Sequence, residues 1–491
     1  MTRRREIGMA WMALLLVAGC SQSEVVTTYQ QVKQDAAETT VPAQVPQPKA
    51  DDADAMPILL GSYEHEFPGA DKAVTREGSA SKVINNVADL ASEGFGVFGY
   101  YYTGANNYEA AKGNTYPNFM YNQLVTGTET TAGSGTYNWS YSPVKYWSNE
   151  TGNDGANGAT TSTLGRFAFF AYAPRVAVTQ ADASGENEAT TGKTSGIVGM
   201  TGNGKTGDPK IHYKISDLAS LDEVDDLLYG TASTDITIVT VPYGDDTNIG
   251  ISAGNPYKDL VKPVSTTVLN FGFRHALARF SLTVSGVFDE ETMGAANKIE
   301  PESYIKIESV TLASTTMTSE GWFNLNGGTW ESASTAEASF YLNASNMNPN
   351  LVYSNTVTAA DIAGGVGRRE EAVGTEDGEK VGDPAPGLEH TLIAGKADGS
   401  PRYFMFIPAG NVEFTVTCKY HVFTKDARMD GGWAHIVNEI SNPVTLSSTA
   451  AGSTYNIHLL LGMTTVKVGN VTIHAGSGTN EERPFWIPRP K

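Results

Sequence analysis

From Pro57 onward the apolar residues of this chain come in short runs, separated by clusters of Gly, Asn, Asp, Ser and Thr. The clearest runs are 95–102, 166–173, 235–241, 304–312, 403–407, 412–423 and 455–461. Within 412–423, Val412, Phe414, Val416, Cys418, Tyr420 and Val422 alternate with Glu413, Thr415, Thr417, Lys419 and His421, which is the period of a strand with one apolar face. No stretch sustains the spacing of a long amphipathic helix; 88–91 and 222–228 suit single turns at most. Many short strands with glycine-rich turns predict an all-β chain built as a sandwich or barrel. The 51 glycines then belong to the turns. Asn326-Gly327-Gly328, between 322–325 and Trp330, is the strongest local hairpin signal.

A chain of 491 residues is long enough for more than one core. Gly, Asn, Asp and Pro accumulate over 245–265 before a new apolar run, which predicts two tandem β-sandwich domains, 56–264 and 265–491. The run 268–284 changes phase: Leu269, Phe271 and Phe273 share one face, whereas Ala278, Phe280, Leu282 and Val284 share the other. A bulge or corner is expected around His275. Residues 364–400, rich in Gly, Glu, Asp and Pro, read as a long exposed loop. After the last strong strand, Val466, Val468, Val471 and Ile473 alternate with polar residues and make a candidate donor strand for a neighbouring molecule. Beyond them Pro484, Pro488 and Pro490 leave 483–490 poorly suited to a ladder, because proline has no N–H to give.

At the other end, Arg3, Arg4 and Arg5 precede an apolar run from Ile7 to Ala18 that closes in Val17-Ala18-Gly19-Cys20. The run falls short of the roughly 20 residues that a spanning helix needs. Small residues directly before a cysteine suit a lipoprotein signal peptidase, so 1–19 is read as a signal peptide and Cys20 as the lipidated first residue of the mature chain. Each buried acyl methylene is worth about 0.8 kcal/mol, so several chains, palmitate among them, hold a protein on a membrane without a span. Residues 20–55, rich in Gln, Ala, Thr, Pro and Asp and without period, read as a flexible tether. With Cys20 committed to lipid only Cys418 remains, so no internal disulfide is expected and the core alone must hold the fold. Cys418, on an apolar face, is expected to be a packed thiol. The formal net charge of −20 argues against nucleic acid as a partner, since phosphates need Lys and Arg to neutralise them.

Chemistry-bearing residues are scattered. His275 with Arg279, or His275 with His212, is the grouping to weigh for catalysis, and no nucleophile, base and orienting group recur at usable spacing. A histidine beside a strand corner is more often packed or capping, so the chain is not expected to be an enzyme. The eight histidines form no His-x-x-x-His pair and there is no Cys-x-x-Cys, so neither a metal nor another cofactor is expected. The acidic run Asp222-Glu223-Val224-Asp225-Asp226 has too few oxygen ligands at loop spacing for calcium and reads as a solvated turn. Tyr100, Tyr101, Tyr102, Trp139 and Trp147 have faces of the kind that stack on sugars. Their strand-like placement suits core and edge packing better.

Six segments taken in order, Phe95-Gly-Val-Phe-Gly-Tyr100, Tyr141-Ser-Pro-Val-Lys-Tyr-Trp147, Phe169-Phe-Ala-Tyr-Ala-Pro174, Asp226-Leu-Leu-Tyr229, Phe273-Arg-His-Ala-Leu-Ala-Arg279 and Tyr455-Asn-Ile-His-Leu-Leu-Leu-Gly-Met463, resemble the fimbrillins of type V fimbriae. The resemblance runs from Pro57 to about His474. It implies an outer-membrane lipoprotein precursor with two transthyretin-like, Greek-key β-sandwich domains, displayed at the cell surface in a fimbrium and working by assembly and cell adhesion. The partners it implies are the outer membrane through Cys20, other fimbrial subunits by strand exchange, a trypsin-like maturation protease, and a host glycan or protein as adhesion ligand. In that family the first strand is removed by a cut after an arginine. Arg76, behind the apolar segment 56–63 and the polar stretch 64–75, matches that arrangement. The long polar stretches 148–164, 180–210 and 364–400 depart from the family pattern and leave open a structural shaft subunit or a tip or accessory pilin, and the prolines of the tail lean towards the latter. A second reading is a surface lipoprotein that does not polymerise and binds glycans or host proteins through its loops.

Overall fold

The computed structural model describes residues 55–62, 84, 86–148, 165–179, 185–189, 194–215, 225–243, 246–286, 303–315, 317–335, 338–354, 366–367, 390–395, 402–462, 466–468 and 472–475. They are almost wholly β. The earlier part of the chain forms β1 (Leu59–Ser62), α1 (Val87–Glu93), β2 (Phe95–Tyr102), α2 (Tyr108–Ala111), β3 (Met120–Glu129), β4 (Tyr137–Ser140), β5 (Arg166–Ala173), β6 (Glu186–Glu188), β7 (Gly196–Thr201), β8 (Lys210–Lys214), β9 (Leu228–Ala232), β10 (Ile236–Tyr243), β11 (Asp246–Ile251), β12 (Tyr257–Leu260) and β13 (Val268–His275). There follow β14 (Ala278–Gly286), β15 (Ser303–Ser314), β16 (Thr318–Asn324), β17 (Thr329–Thr335), β18 (Ala338–Leu342), β19 (Val366–Gly367), β20 (His390–Thr391), β21 (Phe404–Phe406), β22 (Gly410–Lys425), β23 (Trp433–Thr449), β24 (Ser453–Leu461), β25 (Val466–Val468) and β26 (Thr472–Ala475). No helix among the described residues is long and apolar enough to cross a membrane.

The first sheet has the order β1-β13-β9-β5-β2-β3-β4, with β12 added on β5. β2 and β5 are buried at every position, which explains why they read as continuous apolar runs and not as alternating ones. Their two faces serve different cores. Phe95, Val97, Tyr101, Phe167, Phe169 and Ala171 meet Leu269, Phe271 and Phe273 of β13 in one cluster. Phe98, Tyr100, Phe170 and Tyr172 face the other way, into a cluster shared with Ile197, Met200, Ile211 and Tyr213 of the sheet β17-β16-β8-β7-β6. The Asn326-Gly327-Gly328 turn joins β16 to β17 as expected. Gly328 takes φ 63°, and its N–H donates to the Asn324 carbonyl at 2.9 Å.

The later strands form two more sheets, β20-β14-β24-β25 with β21 and β26 at its margins, and β18-β15-β22-β23 with β19 on β15. Between them lie Phe280, Leu282, Ile457 and Leu459 from one side and Ile305, Leu312, Val416 and Val422 from the other. Phe280 sets its ring at 5.0 Å from Phe340 and 5.6 Å from Phe414. The alternation of 412–422 is realised on β22, where Val412, Phe414, Val416, Cys418, Tyr420 and Val422 are all buried.

Three expectations are altered. Val268–His275, expected to open the second half of the chain, instead completes the first sheet by pairing antiparallel with β9 and parallel with β1. The chain leaves that sheet at Ala276-Leu277, and β14 enters the other one, parallel to β24. The change of apolar phase at His275 is therefore a passage between sheets. β16 and β17 also return to the earlier strand β8, with Phe323 opposite Ile211. The acidic run forms neither a helical turn nor a solvated one in its described part, because Asp225 and Asp226 are buried and Leu228 already begins β9. Of the expected loop 364–400, only 366–367 and 390–395 are among the described residues, and they carry the short edge pieces β19 and β20.

Cys418 is fully enclosed, and burial pushes its thiol up to about 12. In protein carrying Cys20→Ala, a water-soluble disulfide reagent at pH 8 is expected to leave the folded chain unlabelled and to modify one thiol in denaturant. Native labelling as fast as denatured labelling would show the site to be open.

Candidate functional site

The segment that leads into β1 is tied down on two sides by different parts of the first sheet. On one side Leu59, Leu60, Gly61 and Ser62 pair in parallel with Val268, Leu269, Asn270 and Phe271. The Ser62 hydroxyl also donates to the Phe271 carbonyl at 3.0 Å. On the other side, upstream, the Ile58 N–H donates to the Lys145 carbonyl and the Trp147 N–H to the Met56 carbonyl, both at 2.9 Å. Pro57 forms an antiparallel bridge with Tyr146, and the Tyr141 hydroxyl donates to the Ile58 carbonyl at 2.7 Å. Residues 141–147 directly follow β4, the far end of the strand order. The short stretch 56–62 therefore joins both ends of the first sheet and closes it around its apolar interior.

Side chains follow from that placement. Ile58 and Leu60 belong to the interior cluster and are 0 % and 2 % exposed, while Leu59 between them is half-buried. Trp147 shuts the same interior, with its ring edge-on to Phe167 at 5.2 Å. Gly61 lies where the two ends of the sheet converge. A β-carbon there would stand 2.7 Å from Asn270 Oδ1, 3.4 Å from Val268 Cγ1 on β13, and 3.5 Å from Trp139 Cδ1 on β4. The first distance is too short for a side chain unless the Asn270 amide turns aside, so after two apolar pockets the groove narrows at Gly61.

Of the residues singled out from sequence, Cys20, Arg76 and Val471 lie outside the described residues. Val466 and Val468 lie on β25, opposite Leu461 and Leu459 of β24; Ile473 lies on β26, opposite Tyr455 of the same strand. The candidate donor strand is thus laid along the outer edge of β24. Of the aromatics weighed as a sugar platform, Tyr100, Tyr101, Tyr102 and Trp147 are buried in the two cores, and Trp139 packs on Phe95 at 5.4 Å.

His275 and His212 are not brought together. His275 sits at the corner between β13 and β14 with Nδ1 at 2.9 and 2.7 Å from the two carboxylate oxygens of Asp226, which fixes its tautomer as the Nδ1–H donor. Burial lowers its pKa against the opposing pull of Asp226, so the imidazole is held neutral. Arg279 lies over the Tyr403 ring at 4.1 Å and donates from Nε to the Thr454 hydroxyl at 2.8 Å. The cavity they share with Leu277, Met405, Gly452 and Ser453 has a volume of about 10 Å³, the room of one water at most. His212 instead stacks on Trp322 at 4.5 Å and places its ring nitrogens against Glu186 and Glu320. Each of the two imidazoles has its own carboxylate partner, and the arrangement ties strands to one another.

Gly61 and Asn270 were not singled out from sequence. The available signal was a glycine inside an apolar strand, which marks a close approach by another chain segment.

No protein-family model and no curated protein matches the chain. Among solved structures it is similar to a fimbrial protein from Bacteroides vulgatus ATCC 8482, with TM-score 0.49 and 18 % identity over 85 % of this chain and 99 % of that one. It is also similar to a putative cell adhesion protein from Bacteroides uniformis ATCC 8492, at TM-score 0.33 and 11 % identity over 87 % and 99 %. The fimbrial anchor protein Mfa2 from Porphyromonas gingivalis matches at TM-score 0.27 and 10 % identity over 85 % and 95 %. Likenesses this distant assign neither a ligand nor a reaction.

Gly61→Val is expected to lower unfolding stability by about 1–3 kcal/mol through overpacking against Asn270. Adding Asn270→Ala should return part of that loss. Urea unfolding midpoints of the three proteins provide the check, and an unchanged midpoint in Gly61→Val would mean that the groove has room there.

Proposed function

We propose that this chain is a fimbrial subunit of the fimbrillin kind, exported as a lipoprotein precursor and assembled at the cell surface by exchanging its first strand. The observation that carries the reading is β1 itself. It is a short strand with two deeply buried apolar side chains, closing a sheet whose other strands form a continuous ladder without it. Such a strand is separable in a way that β2 or β5 is not, because removing it with 56–58 breaks the ladder to β13 and the bridge to 145–147 but no pairing among the other strands. Its loss leaves unpaired N–H and C=O groups along β13 and an open apolar groove. A strand from another subunit restores both sets of interactions. Burial of an Ile and a Leu side chain contributes about 1.5–3 kcal/mol each, so a filled groove is costly to reopen.

Arg76, downstream of β1 in a polar stretch, supplies the cut that frees the strand from the body of the chain. Before the cut the subunit's own strand keeps it monomeric; afterwards the groove is an acceptor. Cys20 holds the precursor on the outer membrane while this happens, and the acidic surface keeps it soluble outside the cell. Adhesion to a host glycan or protein is then a property of the assembled fimbrium. The long polar stretches and the proline-bearing tail point to a tip or accessory place in it.

Two outcomes test the reading in cells that retain their surface protease. Arg76→Ala should stay full length and monomeric, whereas the unmodified chain gives heat-resistant high-mass ladders on an unboiled denaturing gel. Ladders of normal length from an uncut mutant would overturn the proposal. Cys20→Ala should lose acyl labelling and disappear from the outer-membrane fraction; wild-type partitioning would remove the lipid anchor from the account.

A further inference from the structure

We propose that His421 and His435 form a binding site for a single divalent copper ion, open to solvent and independent of strand exchange.

The two residues are 14 apart in the chain, outside the short spacings that mark a metal motif, and the fold brings them together across a ladder. In the pairing of β22 with β23, His421 stands opposite Val437 and His435 opposite Phe423, so the imidazoles are diagonal neighbours on the face turned away from Tyr420 and Val422. Nδ1 of His421 lies 2.8 Å from Nε2 of His435. Two imidazole nitrogens, the commonest donors to transition metals in proteins, thus already face each other.

Glu308 decides which nitrogen of His421 is the donor. Its carboxylate, also held by Lys419 Nζ at 2.7 Å, accepts from His421 Nε2 at 3.0 Å. In the neutral ring the proton is therefore on Nε2, and Nδ1 keeps a lone pair aimed at His435. A carboxylate behind the remote nitrogen is the support that metal-bound histidines ordinarily have. Tyr353 lies flat on the His421 ring, with 3.4 Å between centroids, and holds it in place. Lys306, opposite His421 on β15, has its ammonium drawn off to the Asn350 carbonyl at 2.6 Å. His435 is exposed and lies on β23, the outermost strand of its sheet order, which gives an ion a way in. Burial and the facing His421 hold its pKa below the ordinary imidazole value, which favours the neutral ring that a metal needs.

The spacing selects the ion. With metal–nitrogen bonds of about 2.0 Å, a right angle at the metal places two nitrogens about 2.8 Å apart, and a tetrahedral angle about 3.3 Å. The observed 2.8 Å suits neighbouring corners of a square, the arrangement of Cu²⁺ and not that of Zn²⁺. Cu²⁺ is also the tightest binder of such donors among the first-row divalent ions. The ion takes the place on the His421 lone pair where the His435 N–H now points, and His435 turns its exposed ring to present Nε2 from the side. Among the described residues no group of three or more His, Cys, Asp or Glu closes around a metal, so water holds the remaining corners.

The test titrates Cu²⁺ into the full-length chain carrying Cys20→Ala, which removes a competing thiol, and follows it by calorimetry and electron spin resonance. One equivalent should bind, with a tetragonal signal split by two nitrogens. His435→Gln should weaken that binding at least about tenfold; because the position is exposed and Gln can still donate to His421, the fold is retained, which the urea midpoint checks. Glu308→Gln, which removes the charge behind His421, should weaken it about tenfold. His458→Gln, on β24, should leave it unchanged. One-equivalent binding of the same strength in His435→Gln, or copper held only at many weak places on the acidic surface, means an adventitious ion only and overturns the proposal.

Discussion

The parallel ladder between 59–62 and 268–271 is short, yet the first core depends on it. β13 and the segment after β4 are the two ends of an otherwise continuous sheet, and the stretch 56–62 pairs with both. Everything inside that sheet, from Phe95 to Phe273, is kept dry by a piece of chain that shares no hairpin with its neighbours. The other core has no such single closure. It extends from Phe98 through Tyr213 and Phe280 to Leu461, and strands of three sheets enclose it.

Features fixed by neighbours in the chain were legible in the sequence. The β16–β17 turn was readable because three adjacent residues supply its glycine geometry, and the buried face of β22 because alternation alone decides it. The all-β class followed from the same local signals. What was not legible depends on distant partners. The place of Val268–His275 is set by pairing with β9 and β1, so a linker-like composition at 245–265 marked the passage between sheets too early. The burial of Asp226 depends on His275, 49 residues away, and an acidic run with its partner unseen reads as solvated. Gly61 shows the same limit within the candidate site. Its sequence context announces a close approach, but only the fold shows that Asn270 and Trp139 do the approaching.

Two histidine links, one buried and one half-buried, share a simple form. His275 with Asp226 at the corner between sheets, and His212 between Glu186 and Glu320 across β8, β6 and β16, each place an imidazole between elements remote in sequence. An imidazole so placed offers directional hydrogen bonds, and apolar packing does not. A slip of the strand by one residue, or a different partner, would leave His275 and Asp226 buried and unpaired, which costs more than the hydrogen bond contributes. Polar pairs of this kind discriminate between registers that the apolar faces alone would accept.

Ser62 and Phe271 are 209 residues apart in the chain. Contacts of such separation form late, because the loop they close must be ordered before they return any stabilisation. A chain made in N-to-C order presents β1 first, and β1 has no ladder to join until β13 has followed it. During that interval the strand is an extended, apolar segment on a long leash, and the core meant to receive it does not yet exist. The strand thus exists long before the groove that holds it, and its docking waits on the last strand of the first sheet.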